Sequence, residues 1–254
     1  MKSNNHLVFY TLLVLLEVAV SAVGTLLPMP YSFIVYILSF LPPLILGYRR
    51  FKKEREEREA VSGLRELTPN FFGITKKNAL LSLPVAVISV GLVFLVSFLT
   101  SLLLRALNVG GAPVYEGDFT SLLIRGALIP AMFEELLFRY LPIILLAPYG
   151  KRSAVLLSAS LFTLVHANLY QMPYALAAGL LFITADLLFD SILPSLMAHL
   201  LNNTVSVIWM FYINTEVRIT VFAIVLAFLS LLSLCLAVLF RKEYARLFKK
   251  CFSE

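Results

Sequence analysis

The sequence predicts an all-α, polytopic transmembrane bundle of about eight helices with a polar cavity inside it. Three observations predict this. The 254-residue chain is 60% hydrophobic and 14% charged, with mean hydropathy +0.89, whereas a soluble domain is nearer a quarter charged. Its apolar residues fall into runs near the roughly 20 residues that cross a bilayer. Its charges lie mostly between those runs, and the main exception is Glu134-Glu135-x-x-x-Arg139, inside the apolar run from Leu122 to Leu146. Length points to one domain, 1–254. An ionisable group at membrane depth costs about 2.5–3.5 kcal/mol on insertion scales and normally faces a protein-lined cavity.

The expected helices are 7–27, 31–48, 79–104, 120–147, 153–169, 173–189, 191–212 and 218–240. The first run, Leu7 to Leu27, is long enough to span and ends in no clear small-residue cleavage site, so it reads as a retained helix. The stretch 49–78 is the one long polar linker. Within it Glu54 and Arg58 stand at i,i+4, the pattern of a charged, solvated helix, and Phe71-Phe72-Gly73 returns the chain to the membrane. Helix 120–147 has Asp118 or Thr120 as its N-cap. Pro130 cannot donate to the carbonyl of Gly126, so this helix is expected to kink or open just ahead of the carboxylates, unless the proline is simply tolerated. Asp190 is expected to N-cap helix 191–212, with Asp186 and Asp190 lining a water-filled access path as the other reading. Glu17, in the first helix, reads as structural.

The basic residues set an orientation. They cluster in the linker (Arg49 to Lys77), at Lys151 and Arg152, and from Arg241 to Lys250. With an even helix count all three clusters fall on one side, so both termini are expected in the cytoplasm of a multi-pass cell-membrane protein. The net charge of +6 is therefore loop charge and not a nucleic-acid signal. The two cysteines, Cys235 and Cys251, give neither metal spacing nor a disulfide framework. The last four residues spell C-a-a-X, but Ser253 and Glu254 fit prenylation poorly, and the match reads as coincidence.

Three polar patterns recur at helical spacing. In the first, Glu135 and Arg139 share a face and can pair, while Glu134 is rotated by about 100° and lacks that partner. An unpaired, half-buried carboxylate suits a general base; the competing reading is a structural ion-pair cluster. The second pattern is Phe162-x-x-x-His166 and the third is His199-x-x-x-Asn203, with Asn202 beside it as helix–helix glue. Two of the three histidines thus lie inside apolar helices, which shifts weight from glue to site. A base, a second acid or base, and neutral or cationic donors make the inventory for attacking an amide with water. There is no Ser-His or Cys-His triad pattern and no His-Glu-x-x-His.

Glu-Glu-x-x-x-Arg, Phe-x-x-x-His and His-x-x-x-Asn, in that order on separate helices, resemble the motifs of the CPBP family, the CAAX proteases and bacteriocin-processing enzymes also called Abi proteins. The resemblance covers about 120–212. It implies a glutamic-type intramembrane endopeptidase acting on a membrane-associated peptide or protein, with a prenylated CAAX protein as one substrate class. Carried over, Glu134 and His166 would activate water. His199 and Asn203 would form the oxyanion hole, and Glu135, Arg139 and Phe162 would support the site. No cofactor is expected. The alternative is zinc held by Glu134, His166 and His199, a His₂Glu set. Two further readings are a proteolytically silent immunity or binding protein on the same scaffold and a transporter with a Glu134/Glu135 proton relay; no internal repeat supports the last.

Overall fold

The structure, a computed structural model, describes residues 2–62, 72–109, 117–147, 150–213 and 215–252. Residues 63–71 of the expected linker, and the Ser253 and Glu254 of the C-a-a-X match, lie outside them. The described residues form helices and no strand: α1 (Lys2–Gly24), α2 (Tyr31–Ser39), α3 (Leu41–Ser62), α4 (Lys76–Ala106), α5 (119–145, a run of α and π segments), α6 (Lys151–Val165), α7 (Met172–Phe189), α8 (Leu193–Tyr212), α9 (Glu216–Leu239) and α10 (Arg241–Phe252). Among the described residues, five stretches are long and apolar enough to cross a membrane: Asn5–Gly24, Tyr31–Ala60, Lys76–Ala106, Met172–Phe189 and Glu216–Leu239. The chain is an all-α polytopic bundle. The three other expected crossings are helical as well. One is short, at 15 residues (α6), one is interrupted by π turns (α5), and one carries histidine and asparagines (α8).

The chain between 31 and 62 departs from the expected division. An apolar helix 31–48 followed by a separate charged helix was the sequence reading. Instead the break falls at Phe40, and α3 runs unbroken from Leu41 through the charged residues. Pro42 and Pro43 explain it: neither has an N–H to give to the carbonyls of Leu38 and Ser39, so the helix must restart there. Further on, no residue interrupts the ladder, and i,i+4 pairs such as Arg50–Glu54 (2.7 Å) and Arg55–Glu59 (2.9 Å) line the charged part.

One apolar cluster joins α1, α3, α5, α6 and α7 around Tyr10, Phe51, Leu141 and Phe162. A second joins α4, α7 and α8 around Ala86, Val93, Phe182 and Ala198. The candidate site lies on the seam between them. Gly179 lets α6 and α7 approach there: a Cβ at this position would stand 3.1 Å from the Ala159 backbone and 3.3 Å from the Phe162 ring.

The basic residues gather at one end of the bundle. α10 lies across the ends of α4, α6 and α7. Its Tyr244 hydroxyl donates to the Leu81 carbonyl (2.6 Å), Lys77 donates to its Glu243 (2.9 Å), and Lys151 donates to its Cys251 carbonyl (2.7 Å). The Lys77 hydrogen bond holds the Glu243 carboxyl below the usual carboxylate range. The charged part of α3 reaches the same end, because its Phe51 shares a core cluster with Leu141–Leu146 at the end of α5.

Candidate active site

α5 carries the two carboxylates, and its backbone is irregular on both sides of them. Asp118 caps it by accepting from the Ser121 N–H (2.9 Å), as one of the two expected caps. Pro130 does not break the helix. A π stretch, Leu123–Leu128, precedes it, and Pro130 takes the second position of the next α segment, Ile129–Glu135. A second π stretch, Leu136–Tyr140, leads into Pro142 in the same way. The carbonyls that Pro142 leaves without an intrahelical donor find others: Leu137 accepts from the Tyr10 hydroxyl (3.2 Å) and Phe138 from the Ser158 hydroxyl. Such π turns rotate the side chains that follow and recur at functional sites.

The adjacent glutamates have different surroundings. Glu135 is fully buried. Its Oε2 lies 3.1 Å from Arg139 Nε, and its Oε1 lies 2.6 Å from His199 Nδ1. The Arg139 contact is an ion pair by distance but not a hydrogen bond by angle. The guanidinium instead rests over the Phe162 ring at 4.1 Å and near that of Phe182 at 5.3 Å, two cation–π contacts to a fully buried charge. This gives Phe162 of the Phe-x-x-x-His pattern a physical role. Glu134, by contrast, is half-buried and lines an open cavity. Its Oε1 accepts from the Tyr36 hydroxyl of α2 (3.0 Å), and its Oε2 lies 3.8 Å from His199 Nε2.

The histidine protons follow from their partners. A carbonyl only accepts, so His166 Nδ1, 2.7 Å from the Phe162 carbonyl, carries a hydrogen, and in the neutral ring Nε2 keeps its lone pair. His199 Nδ1 likewise donates to the Glu135 carboxylate, so His199 can donate at Nε2 only as an imidazolium. Both Asn202 and Asn203 line the cavity. Asn202 is buried and committed: its Nδ2 donates to Ser89 of α4 (2.9 Å) and to the Ala198 carbonyl (2.9 Å), which is the expected interhelical role. Asn203 makes no hydrogen bond among the described residues, so its amide is open to a ligand.

The cavity holds about 350 Å³ and brings Glu134, Phe162, His166, His199 and Asn203 to one surface. Glu135 and Arg139 stand behind it. Asp190 does not N-cap α8: it ends α7 in a left-handed conformation (φ 51°). Asp186 does that work instead, accepting from the Ser195 N–H at 2.9 Å from a fully buried position. It faces no access path. Glu17 is buried and accepts from Ser39 (3.0 Å), one turn along α2 from Tyr36, which fits the structural role expected of it. Among the described residues, no three of the His, Cys, Asp and Glu side chains stand together as a metal set. Tyr36 is the site residue that sequence reasoning missed. It lies outside the three motifs, and a tyrosine in an apolar run carries no signal of its own.

Residues 116–205 match a family model described as Rce1-like, type II CAAX prenyl endopeptidase Rce1-like. The match spans about a third of the chain, and over that span the chain is similar to the type II CAAX prenyl endopeptidases. The matched segment holds every CPBP motif residue, from Glu134 to Asn203, and leaves Tyr36 and the whole of α1 to α4 outside it. No curated protein and no solved structure matches the chain.

Proposed function

We propose that this protein is a glutamic-type intramembrane endopeptidase that hydrolyses a peptide bond of a membrane-associated protein or peptide. The observation that carries the reading is the division of labour between adjacent glutamates: Glu135 is buried between Arg139 and His199, and Glu134 is turned into the cavity. In this reading the Glu134 carboxylate takes a proton from water as the water oxygen bonds to the substrate carbonyl carbon. His166, with its Nε2 lone pair, is the second base. The carbonyl π electrons move onto oxygen, and the oxyanion is held by the Asn203 amide and by His199 Nε2 in its imidazolium form. The proton taken from water then passes to the leaving nitrogen as the C–N bond breaks. Tyr36 and Glu135 orient the groups that react.

The family description adds prenylated CAAX proteins as one substrate class; a bacteriocin-type precursor peptide is another. We propose a metal-free mechanism in a cell-membrane protein. The neighbour of His199 one turn on is Asn203, whose amide is a poor zinc ligand and a good oxyanion donor. The test compares peptide fragments in membranes holding the wild type and Glu134→Gln. Fragments that vanish with Glu134→Gln and persist after dialysis against a strong chelator support the reading. Loss on chelation with recovery in stoichiometric zinc makes it a zinc peptidase, and identical fragment profiles make it a silent scaffold.

A further inference from the structure

The cavity has a direction. On α8 it is lined from His199 to Met210. At 1.5 Å per residue from Leu193 these stand about 9 Å and about 26 Å along the helix. The other helices agree on which end that is. α6 enters only at its close, with Phe162 and the C-cap His166, and α7 only from its start as far as Phe182. α5 contributes from Leu122 to Glu134 and nothing beyond. The lining on each of these helices therefore runs from the end distant from α10 to about the middle of the bundle. Toward α10 the bundle is filled: Glu135, Arg139, Asp186 and Ser195 are fully buried and Phe189 is 2% exposed. The site thus opens at one end of the bundle and is sealed toward the other.

The sealed end is the basic one. Lys76, Lys77, Lys151, Arg152 and the basic residues of α10 lie there, together with the charged part of α3. At the open end stand only Arg105, Arg125 and Arg218 among the described basic residues. Lys and Arg in short loops and flanking segments are retained in the cytoplasm. We infer that the cavity opens to the extracytoplasmic side of the membrane, so the peptide it accepts is a segment presented from that side and not a cytoplasmic prenylated tail. This rests on the endopeptidase reading for its substrate half and on geometry and charge alone for its orientation half.

The experiment has two arms, so that the two halves fail separately. In a Cys235→Ser, Cys251→Ser background, Leu169→Cys reports on the open end, where Leu169 is 58% exposed between His166 and Gln171 of the cavity wall. Lys249→Cys reports on the basic end. An impermeant thiol reagent on intact cells should label Leu169→Cys and reach Lys249→Cys only after permeabilisation. The reverse pattern overturns the orientation. In the second arm, a membrane-anchored reporter carries the same peptide library on either its exported or its cytoplasmic flank. Cleavage of the exported flank that disappears with Glu134→Gln supports the inference; cleavage confined to the cytoplasmic flank overturns it. Outward labelling with neither flank cut leaves the orientation standing and overturns the endopeptidase reading.

Discussion

α8 and α9 are consecutive helices of 20 and 24 residues, and they teach opposite lessons. α9 is apolar all round. Only 6% of its most apolar stretch is buried, and Ser233 is its one buried residue. It is a wall against lipid, and hydropathy alone finds it. α8 does not qualify as a crossing by length and composition, because His199, Asn202, Asn203 and Ser206 interrupt it. It also holds half of the candidate site. α5 repeats the pattern, with two π stretches and four ionisable side chains, Arg125, Glu134, Glu135 and Arg139, where a membrane wall would have leucine. In this bundle the helices that read worst as membrane spans are the ones that line the candidate site. The reason is energetic: a polar side chain at bilayer depth persists only where protein partners or a cavity receive it.

The comparison sets the order of expected effects. Arg139→Ala should do the most damage to the fold. It leaves Glu135 as an uncompensated buried charge, at a cost of about 3–5 kcal/mol, read as lost thermal stability or yield in detergent. Leu231→Ala, on the lipid face of α9, should change neither. Equal losses in the two variants would remove the distinction between site and wall. Asn203→Ala should lower turnover by about 10²–10³ with little change in substrate binding or stability, as loss of one oxyanion donor does. Asn202→Ala should do the converse, loosening the α4–α8 contact at Ser89 while sparing most of the turnover. Tyr36→Phe should lower turnover by about 10- to 100-fold, the worth of one hydrogen bond to a charged group, without moving KM.

The smallest effect belongs to the basic end. Lys77→Ala should free α10, seen as faster proteolysis of the C-terminal helix, with no change in turnover. Because Lys77 holds the Glu243 carboxyl low, the stabilisation it provides is present above the ordinary carboxylate range. It is lost as pH falls through the lowered value, so wild type and variant should converge in acid.

Much of this was legible in the sequence because helices convert spacing into faces. Glu135 and Arg139, and His199 and Asn203, each stand four residues apart, and the positions follow from 3.6 residues per turn. The basic clusters mapped to one end for the same reason that loops alternate sides. What was not legible depends on contacts between elements distant in the chain. Tyr36 reaches Glu134 across 98 residues, and His199 reaches Glu135 across 64. No local pattern encodes either. Asp190 misled because an aspartate before a helix is a good N-cap in general, whereas Asp186, a turn earlier and buried, had the reach to Ser195. Pro130 left two readings open, a kinked or opened helix and a tolerated proline, and a π stretch ahead of it accommodates the ring.

The central claim is that two adjacent glutamates do different work, and one paired measurement tests it most directly. Thermal stability and turnover of Glu134→Gln and Glu135→Gln are compared with the wild type in the same detergent. The account predicts that Glu134→Gln abolishes turnover at wild-type stability, because it changes a group facing the cavity. It predicts that Glu135→Gln loses stability as well, because Arg139 is left without its carboxylate in a fully buried site. Equal stability and equal loss of activity in the two variants would contradict the division and return both residues to a single shared role.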